Sequence, residues 1–372
     1  MALRYLLPGQ MRFMANNGFD VLMISADGKE LADVIKLEQC RHIIVPMTRK
    51  ITPLQDIKCL FHLIRIFRKE KPDIVHTHTP KAGLLGMMAA KICGIKIRIH
   101  TVAGLPLMVE KGFKYRILIF IEKLTYVAAN HVWPNSYSLL KFIKEKKLIY
   151  SGKLMIIGKG STNGINVNRF TKEALDEKII DEIKGQIHYS AENKYLLCIG
   201  RLVVDKGIVE LVNVFLQLQK NDSSLKLILV GEYESTLDPL PVSTLTEIEN
   251  NESIIHINWT NNVEYYMLLA NYFVFPSHRE GFPNVLLQSG AMELPVICTC
   301  IAGNIDIITN NETGLIFETG NELELLNRLQ YAFTHPQHMQ TMAKKSQQEI
   351  RKNYQQENIW QNILTAYKTL VN

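Results

Sequence analysis

Residues 195–218 read YLLCIGRLVVDKGIVELVNVFLQL, and this stretch decides the fold. Its start is an apolar run with the length of a buried strand, and Gly200 ends that run. Residues 208–218 then repeat apolar side chains at the spacing of a helix. A buried strand, a short loop and a helix form the unit from which parallel α/β sheets are built.

The same alternation of strand and helix continues on both sides of this unit. Helices are predicted at residues 82–93, 113–130 and 358–371. The chain is therefore expected to be an α/β protein with two Rossmann-like domains, residues 1–165 and 166–356, facing each other across a cleft. Residues 357–372 are expected to form a helix that returns to the first domain. The other strands are predicted at residues 21–25, 73–78, 95–102, 131–134, 225–231, 254–257, 272–276 and 295–298.

Composition agrees with two globular domains and limits the class of protein. The chain has 372 residues, of which 47% are hydrophobic and 21% charged, as is typical of soluble globular proteins. It has no apolar run near the roughly 18–20 residues that a membrane span needs, and its start lacks the apolar core of a secretion signal. The six cysteines form no CxxC pair, so we expect neither a zinc site nor disulfides, and a reducing cytosol.

Charge is distributed unevenly along the chain. Residues 1–165 hold 26 Lys and Arg against 11 Asp and Glu, a net charge of +15, and residues 166–372 hold 16 against 25, a net charge of −9. A basic half of this kind favours an anionic partner such as a phospholipid surface or a lipid diphosphate. The alternative is a solvated basic face without a partner. Nucleic acid is not expected, because no nucleic-acid motif accompanies the charge.

Two cations follow the strand at residues 195–199. Arg201 lies at the strand end, and Lys206 lies where the next helix begins. Cations beside the unpaired backbone N–H groups of a helix start are suited to bind a diphosphate. The alternative is a surface arginine beside a capped helix.

A second loop follows the strand predicted at residues 272–276. Residues 276–288 read PSHREGFPNVLLQ, with a helix predicted from Asn284 to about Met292. The amides of Val285 and Leu286 are expected to bind phosphate oxygens. Glu280 would then accept hydrogen bonds from sugar hydroxyls, and Gln288, eight residues or about two helical turns after Glu280, would point toward a ribose. The alternative is a surface acid in a helix-capping loop.

These segments resemble glycosyltransferase family 4, whose members are retaining enzymes with the GT-B fold. Residues 276–288 resemble the Glu-x7-Glu region of that family, and residues 200–207 its diphosphate-binding element. Residues 158–166 are similar to the Asn-Gly turn between its domains, and residues 302–315 to its closing loops. The resemblance covers nearly the whole chain and extends, through residues 76–81 and 100–104, to bacterial capsule, exopolysaccharide and O-antigen transferases.

The resemblance implies a role for each matched residue. Glu280 would bind the donor sugar and steady the transition state, while Arg201 and Lys206 would neutralise the leaving diphosphate. No cofactor and no metal are expected beyond the nucleotide-sugar substrate. The implied donor-binding residues are Gly200, Arg201, Lys206, Glu280, Gly281, Phe282, Pro283, Asn284, Val285, Leu286 and Gln288.

Three positions depart from the family pattern. Gln288 stands where the second glutamate is usual, so a neutral amide would bind the ribose, with weaker affinity expected. Ala103 stands where many members have histidine, and by strand alternation His100 would face the opposite side from Ala103. Residues 1–7 are too few for the usual first strand and glycine-rich loop, so an incomplete first strand is expected.

Other polar and basic residues in the first half allow several interpretations. His76 and His78 share a strand face and are expected to be polar groups at an acceptor entrance rather than metal ligands. Lys81 is expected either to meet a phosphate or to be solvated. An apolar loop at residues 104–109 and the basic, apolar residues 111–121 favour docking on an anionic membrane leaflet. The alternative is a helix packed in the domain core.

The sequence thus leads to one function hypothesis with two alternatives. A hexose or N-acetylhexosamine would move, with retention, from a UDP-sugar to a polyprenyl-diphosphate-linked glycan at the inner face of the cell membrane. The same architecture is compatible with a nucleotide-sugar 2-epimerase, although residues 277–288 argue against it. The second alternative is an inactive transferase-like subunit that binds a partner transferase.

Overall fold

The computed structural model describes residues 2–48, 52–108, 112–236 and 238–372. These residues group into two compact units. Unit 1 comprises Met1–Gly164 together with Gln356–Asn372, and unit 2 comprises Ile165–Gln355.

Unit 2 is built around a parallel sheet of six strands. Its strands are β6 (Lys194–Ile199), β7 (Leu225–Val230), β8 (Ile254–Ile257), β9 (Tyr272–Phe275), β10 (Val296–Thr299) and β11 (Leu315–Phe317). Its helices are α8 (Glu177–Gln186), α9 (Ile208–Gln219), α10 (Val242–Asn250), α11 (Val263–Leu269), α12 (Asn284–Ala291), α13 (Glu322–Thr334) and α14 (Pro336–Asn353).

The strand order of this sheet is β11-β10-β9-β6-β7-β8. The chain runs outward from β6 through β7 to β8, and then returns to β9 on the other side of β6. The order reverses between β6 and β9, and ligands of open α/β sheets bind beyond the carboxyl ends of the strands at such a point. Pairing of these two strands is limited to Leu196 with Tyr272 and Leu197 with Phe273, so it stops two residues before each strand ends.

Both faces of this sheet are buried, which explains the continuous apolar runs in its strands. Tyr195, Leu197 and Ile199 of β6 pack into one apolar core, whereas Leu196 and Cys198 pack into the core on the other face.

Unit 1 holds two separate parallel sheets. One pairs β1 (Leu22–Ser25) with β2 (Arg41–Ile44), and the other has the order β3 (Ile74–Thr77), β4 (Ile97–Val102), β5 (His131–Pro134). Its helices are α1 (Ala2–Tyr5), α2 (Gln10–Asn16), α3 (Leu31–Glu38), α4 (Pro53–Glu70), α5 (Pro80–Ile92), α6 (Gly112–Ala128), α7 (Tyr137–Glu145) and α15 (Gln356–Val371).

Helix α5 lies between α4 and α6 and packs closely on β3 and β4. A β-carbon at Gly83 would lie 2.4 Å from the His100 ring, and one at Gly86 would lie 2.7 Å from the Thr77 methyl group. These two glycines therefore let α5 approach the sheet. Thr101, the neighbour of His100, instead contacts His76, so His100 and Thr101 face opposite sides of the sheet.

The α/β class with parallel sheets in two units is confirmed, the C-terminal helix belongs to the first unit as predicted, and each predicted strand is found within two residues of its predicted bounds. Residues 2–5 form a helix rather than a strand. Several elements were not predicted at all, among them α4 and β2. In the described ranges, no helix combines the length and the apolar character needed to cross a bilayer.

Candidate functional site

Two loops meet where the strand order of unit 2 reverses. Residues 200–207 follow β6, and residues 276–283 follow β9. Gly207 has φ 69°, and a β-carbon there would lie 2.2 Å from the carbonyl oxygen of Pro276. Only glycine fits this left-handed, close approach, so Gly207 brings the two loops into contact.

Lys206 and Glu280 meet at this contact. The Lys206 ammonium forms an ion pair with Glu280 Oε1, and their side chains are only 18% and 15% exposed. Ser277 Oγ donates a second hydrogen bond to the same oxygen at 3.0 Å. Removing either charge would leave the other poorly solvated and without a counter-charge, so each side chain holds the other in place.

Helix α12 begins directly after the second loop. Pro283 precedes it, and no side chain caps its first amides. Within the described ranges, the amides of Asn284 and Val285 have no acceptor, whereas the Leu286 amide donates to Pro283 O at 3.1 Å. The Leu286 amide thus has an acceptor within the turn, and the binding of phosphate oxygens by Val285 and Leu286 stays a prediction.

Phe282 and Gln288 flank the start of this helix. The Phe282 ring packs on Tyr354, with 5.6 Å between ring centres, and Gln288 is half-buried about one turn into α12. The backbone at Gly303 packs against Gly281, because a β-carbon at Gly303 would lie 2.6 Å from Gly281 O. The loop that carries Glu280 is thus backed by neighbouring chain segments.

Arg201 does not join Lys206 and Glu280. Its guanidinium pairs with Glu234 Oε2 at 3.0 Å, and its side chain is 54% exposed. Gly200 lies close to the following strand end, since a β-carbon at Gly231 would lie 1.9 Å from Gly200 O. Arg201 therefore lies at the carboxyl ends of β6 and β7, on a loop that also leads to Lys206.

Two further ion pairs connect the second loop to the first loop and to α9. Arg279 donates to Asp205 Oδ2 through Nε at 3.1 Å and Nη2 at 2.7 Å. His278 Nε2 lies 2.7 Å from Glu210 Oε1, and this hydrogen bond raises the pKa of His278. Burial alone would raise the pKa of Glu210, but the bond from His278 reverses the direction and lowers it. No role for these four residues is predicted from the sequence.

Two of the polar residues singled out in unit 1, His76 and Lys81, have partners of their own. His76 Nδ1 lies 2.5 Å from Tyr367 Oη, and its Nε2 lies 2.7 Å from Thr101 Oγ1. Burial lowers the pKa of His78 to about 3, so that ring is neutral. Lys81 forms a salt bridge with Asp56 at 2.8 Å and is only 19% exposed, so it is not solvated, and its contact with a phosphate stays a prediction.

Comparison with known proteins identifies the chain. The family model described as "Glycosyl transferase 4-like" matches residues 4–136, and the model described as "Glycosyl transferases group 1" matches residues 179–349. The capsular polysaccharide biosynthesis glycosyltransferase CapM of Staphylococcus aureus is 35% identical over 369 residues, which is 98% of this chain and 94% of CapM.

Two further proteins are similar at greater distance. The UDP-Gal:alpha-D-GlcNAc-diphosphoundecaprenol alpha-1,3-galactosyltransferase of Escherichia coli is 25% identical, over 86% of this chain and 81% of that enzyme. The crystal structure of a glycosyltransferase from Rickettsia africae ESF-5 superposes with a TM-score of 0.81 at 19% identity, over 98% of this chain and 93% of the other. With the fold and the matched segments, these similarities show that the chain belongs to the family 4-like, group 1 glycosyltransferases and is a glycosyltransferase with the GT-B fold.

Proposed function

We propose that the enzyme moves a hexose or N-acetylhexosamine from a UDP-sugar to a polyprenyl-diphosphate-linked glycan, with retention at the anomeric carbon. The observation that carries this proposal is the pairing of Lys206 with Glu280 at the reversal point of the unit 2 sheet. A cation and a carboxylate held there match the two ends of a nucleotide sugar, its diphosphate and its hexose.

The proposed division of roles follows the charges that develop in the reaction. Departure of UDP builds negative charge on the β-phosphate, and Lys206, Arg201 and the open amides of Asn284 and Val285 would stabilise it. Glu280 would bind sugar hydroxyls and steady the positive charge on the anomeric carbon. Gln288 would bind the ribose as a neutral partner.

We further propose that transfer needs no metal ion. The cations and helix amides would supply the charge stabilisation that divalent ions give in other transferases. Activity should therefore survive excess EDTA, and loss of activity that Mg²⁺ or Mn²⁺ restores would contradict this part of the proposal.

The donor and acceptor classes rest on the relatives. The name of the E. coli relative specifies UDP-Gal as the donor and a sugar on diphosphoundecaprenol as the acceptor, and that of CapM specifies capsular polysaccharide synthesis. We extend both classes to this chain, and we assign donor binding to unit 2 and acceptor binding to unit 1.

The test is a transfer assay with the full chain. UDP-sugars are each supplied with a polyprenyl-diphosphate-linked GlcNAc acceptor, and the anomeric configuration of the product is read by NMR. We expect an α-linked product from an α-linked donor, and loss of turnover in Glu280→Ala but not in Glu247→Gln, which changes an exposed acid on α10. An inverted product, or no transfer from any UDP-sugar, would overturn the proposal.

We also propose that unit 1 docks on an anionic membrane through α4 and α6. Helix α6 exposes Phe113, Ile117 and Phe120, which are 78%, 38% and 67% exposed and lie on one helical face. Exposed basic residues Arg116 and Lys123 accompany them. Apolar side chains with adjacent cations are the features that bind a helix at the surface of an anionic bilayer.

Helix α4 repeats this arrangement on the other side of α5. Leu54, Ile57 and Phe61 are 80%, 52% and 66% exposed, and Lys58 and Arg65 lie beside them. The apolar residues lie toward the N-terminal end of each helix. Helices α5 and α6 follow the neighbouring parallel strands β3 and β4, so both helices begin at the same edge of that sheet. The start of α4 lies at this edge too, because Asp56 of α4 pairs with Lys81 at the start of α5.

Vesicle co-sedimentation tests the docking surface. Phosphatidylglycerol vesicles are expected to bind the chain and pure phosphatidylcholine vesicles to bind it weakly. Phe113→Ser with Phe120→Ser should lower binding at least tenfold, while Leu323→Ser, at an equally exposed leucine of unit 2, should not. Equal binding by all three proteins would refute this surface.

A further inference from the structure

Three fully buried polar side chains lie next to the Glu280 loop. Ser277, Thr299 and Asn304 each have 0% exposure. Buried hydroxyl and amide groups are costly unless their hydrogen bonds are made, so their partners show what they hold in place.

Asn304 bonds to Thr299, and Thr299 bonds in turn to the backbone of Ser277. Asn304 Nδ2 donates to Thr299 O and Thr299 Oγ1, both at 3.1 Å. Because Thr299 O can only accept, the amide nitrogen must face it, which fixes the orientation of the Asn304 side chain. Thr299 Oγ1 then donates its own proton to Ser277 O at 2.5 Å.

The hydroxyl of Ser277 in turn bonds to Glu280. Its single hydroxyl proton has three acceptors in range, Glu280 Oε1 at 3.0 Å, Arg279 O at 3.2 Å and Asp205 O at 3.4 Å. The carboxylate is both the nearest and the charged acceptor, and charge-assisted hydrogen bonds are about twice as strong as neutral ones. The proton therefore goes to Glu280.

Only one oxygen of Glu280 is held in this way. Lys206 and Ser277 both bond to Oε1, and among the described residues no donor reaches Oε2. We propose that Ser277 is a positioning residue that fixes Oε1 so that Oε2 is presented to the sugar, with Thr299 and Asn304 holding the Ser277 backbone. This inference rests on the proposed sugar-binding role of Glu280.

The close contact of Gly303 with Gly281 supports the same assignment. Gly303 has φ 86° and leaves no room for a β-carbon against Gly281 O. The loop that carries Asn304 and the loop that carries Glu280 are thus packed against each other by backbone as well as by side chains. A carboxylate held on two sides loses little freedom when a ligand binds, which favours the transition state.

Kinetics and UDP binding of matched variants test the role of Ser277. Ser277→Ala should lower kcat/KM for the UDP-sugar 10- to 100-fold and leave the Kd of UDP alone within twofold, because UDP lacks the sugar that Glu280 binds. The control is Ser289→Ala, another fully buried serine, whose hydroxyl bonds, among the residues that the structure describes, to Leu286 O alone. Its kcat/KM should stay within twofold of that of the natural chain.

Thr299 provides a conservative rescue. Thr299→Val keeps the shape and removes the hydroxyl, and it should lower kcat/KM at least fivefold, while Thr299→Ser should retain it. If Ser277→Ala weakens UDP binding as much as it weakens turnover, or if Ser289→Ala has the same effect, Ser277 is merely structural and the inference is overturned.

A double-mutant cycle keeps this test separate from the proposed function. Urea unfolding midpoints are measured for Ser277→Ala, Glu280→Ala and both together, with no need for turnover. Loss of a shared bond predicts that the double variant unfolds close to the less stable single variant. Additive shifts would overturn the inference even in an active enzyme, whereas an inactive enzyme with non-additive shifts would refute only the proposed function.

Discussion

Glu122 lies on the buried side of α6, with 5% exposure, and burial raises its pKa to about 7. In the unfolded chain the same carboxyl has its ordinary pKa near 4.5. Between pH 4.5 and about 7, Glu122 is protonated in the folded protein and ionised in the unfolded chain, so the free energy of unfolding falls as the pH rises. Burial raises the pKa of the neighbouring Tyr126, and the ionised Glu122 carboxylate raises it further.

Replacing Glu122 by glutamine should remove this pH dependence. Between pH 4.5 and 7 the natural chain should lose about 3 kcal/mol of unfolding free energy relative to Glu122→Gln, since one pKa unit corresponds to about 1.4 kcal/mol. Urea unfolding at pH 5 and pH 8 measures the difference. Glu145→Gln, at an exposed acid on α7, should leave the dependence unchanged, and parallel curves for Glu122→Gln and the natural chain would contradict the assignment.

Lys206 and Arg201 should contribute unequally to nucleotide binding. Lys206 is largely buried and already directed into the site, whereas Arg201 must leave Glu234 to meet a phosphate. Calorimetry with UDP should show Kd rising 10- to 100-fold in Lys206→Ala and less than tenfold in Arg201→Ala. Lys220→Ala, at the far end of α9, serves as the control. A larger effect from Arg201 would reverse the proposed ranking.

At the residue scale, sequence could predict the parts of the site that follow strands directly. Lys206 and Glu280 each come a few residues after an apolar strand, and their contact is the one that parallel-sheet topology implies. The bond between Thr299 and Ser277 joins positions 22 residues apart in different loops, and no local pattern marks it. The salt bridge between Arg201 and Glu234 could likewise not be predicted from the spacing of residues in the sequence.

At the scale of elements, α15 shows how a distant segment completes unit 1. Ile359, Ile363 and Leu364 are buried in a core that also holds Ile99 and Trp133 of the central sheet. Trp360 Nε1 donates to Asn163 Oδ1 at 2.6 Å, and Tyr367 reaches His76. The helix thus packs on strands more than 220 residues earlier in the chain.

Truncating one buried side chain of α15 should therefore destabilise unit 1. Ile363→Ala should cost about 2–5 kcal/mol, the range for large-to-small changes in a core, and Gln361→Ala on the exposed face should cost less than about 0.5 kcal/mol. Urea denaturation followed by circular dichroism measures both. An unchanged midpoint in Ile363→Ala would mean that the helix contributes little to the core.

Element prediction from sequence succeeded where one pattern dominated. The strands of unit 2 are buried on both faces and read as continuous apolar runs, so their bounds were found closely. Helix α4 was missed because Leu54, Ile57 and Phe61 lie on its exposed face and blur the helical period of its buried side. Strand β2 was missed because, within the described part of the chain, it pairs with β1 alone and none of its four residues is fully buried.

At the scale of the whole molecule, the uneven charge has a long-range consequence. The net charge of +15 in residues 1–165 attracts an anionic surface before contact, while −9 in the remaining residues opposes it. This attraction is screened over about 8 Å at physiological ionic strength, whereas burial of Phe113 and Phe120 in a bilayer is insensitive to salt. The two contributions can therefore be separated by a salt titration.

Binding to phosphatidylglycerol vesicles should fall at least tenfold between 50 and 300 mM NaCl, because each basic residue near an anionic surface contributes about 1 kcal/mol that salt screens. Arg116→Glu with Lys123→Glu should reduce that salt dependence as well as the affinity, whereas Phe113→Ser with Phe120→Ser should lower affinity at every salt concentration and leave the slope unchanged. Lys344→Glu with Lys352→Glu, two exposed lysines of α14, carries the same charge change in unit 2 and should affect neither quantity strongly. If both reversals had equal effects, net charge rather than the α6 face would govern membrane association, and docking through that helix would be refuted.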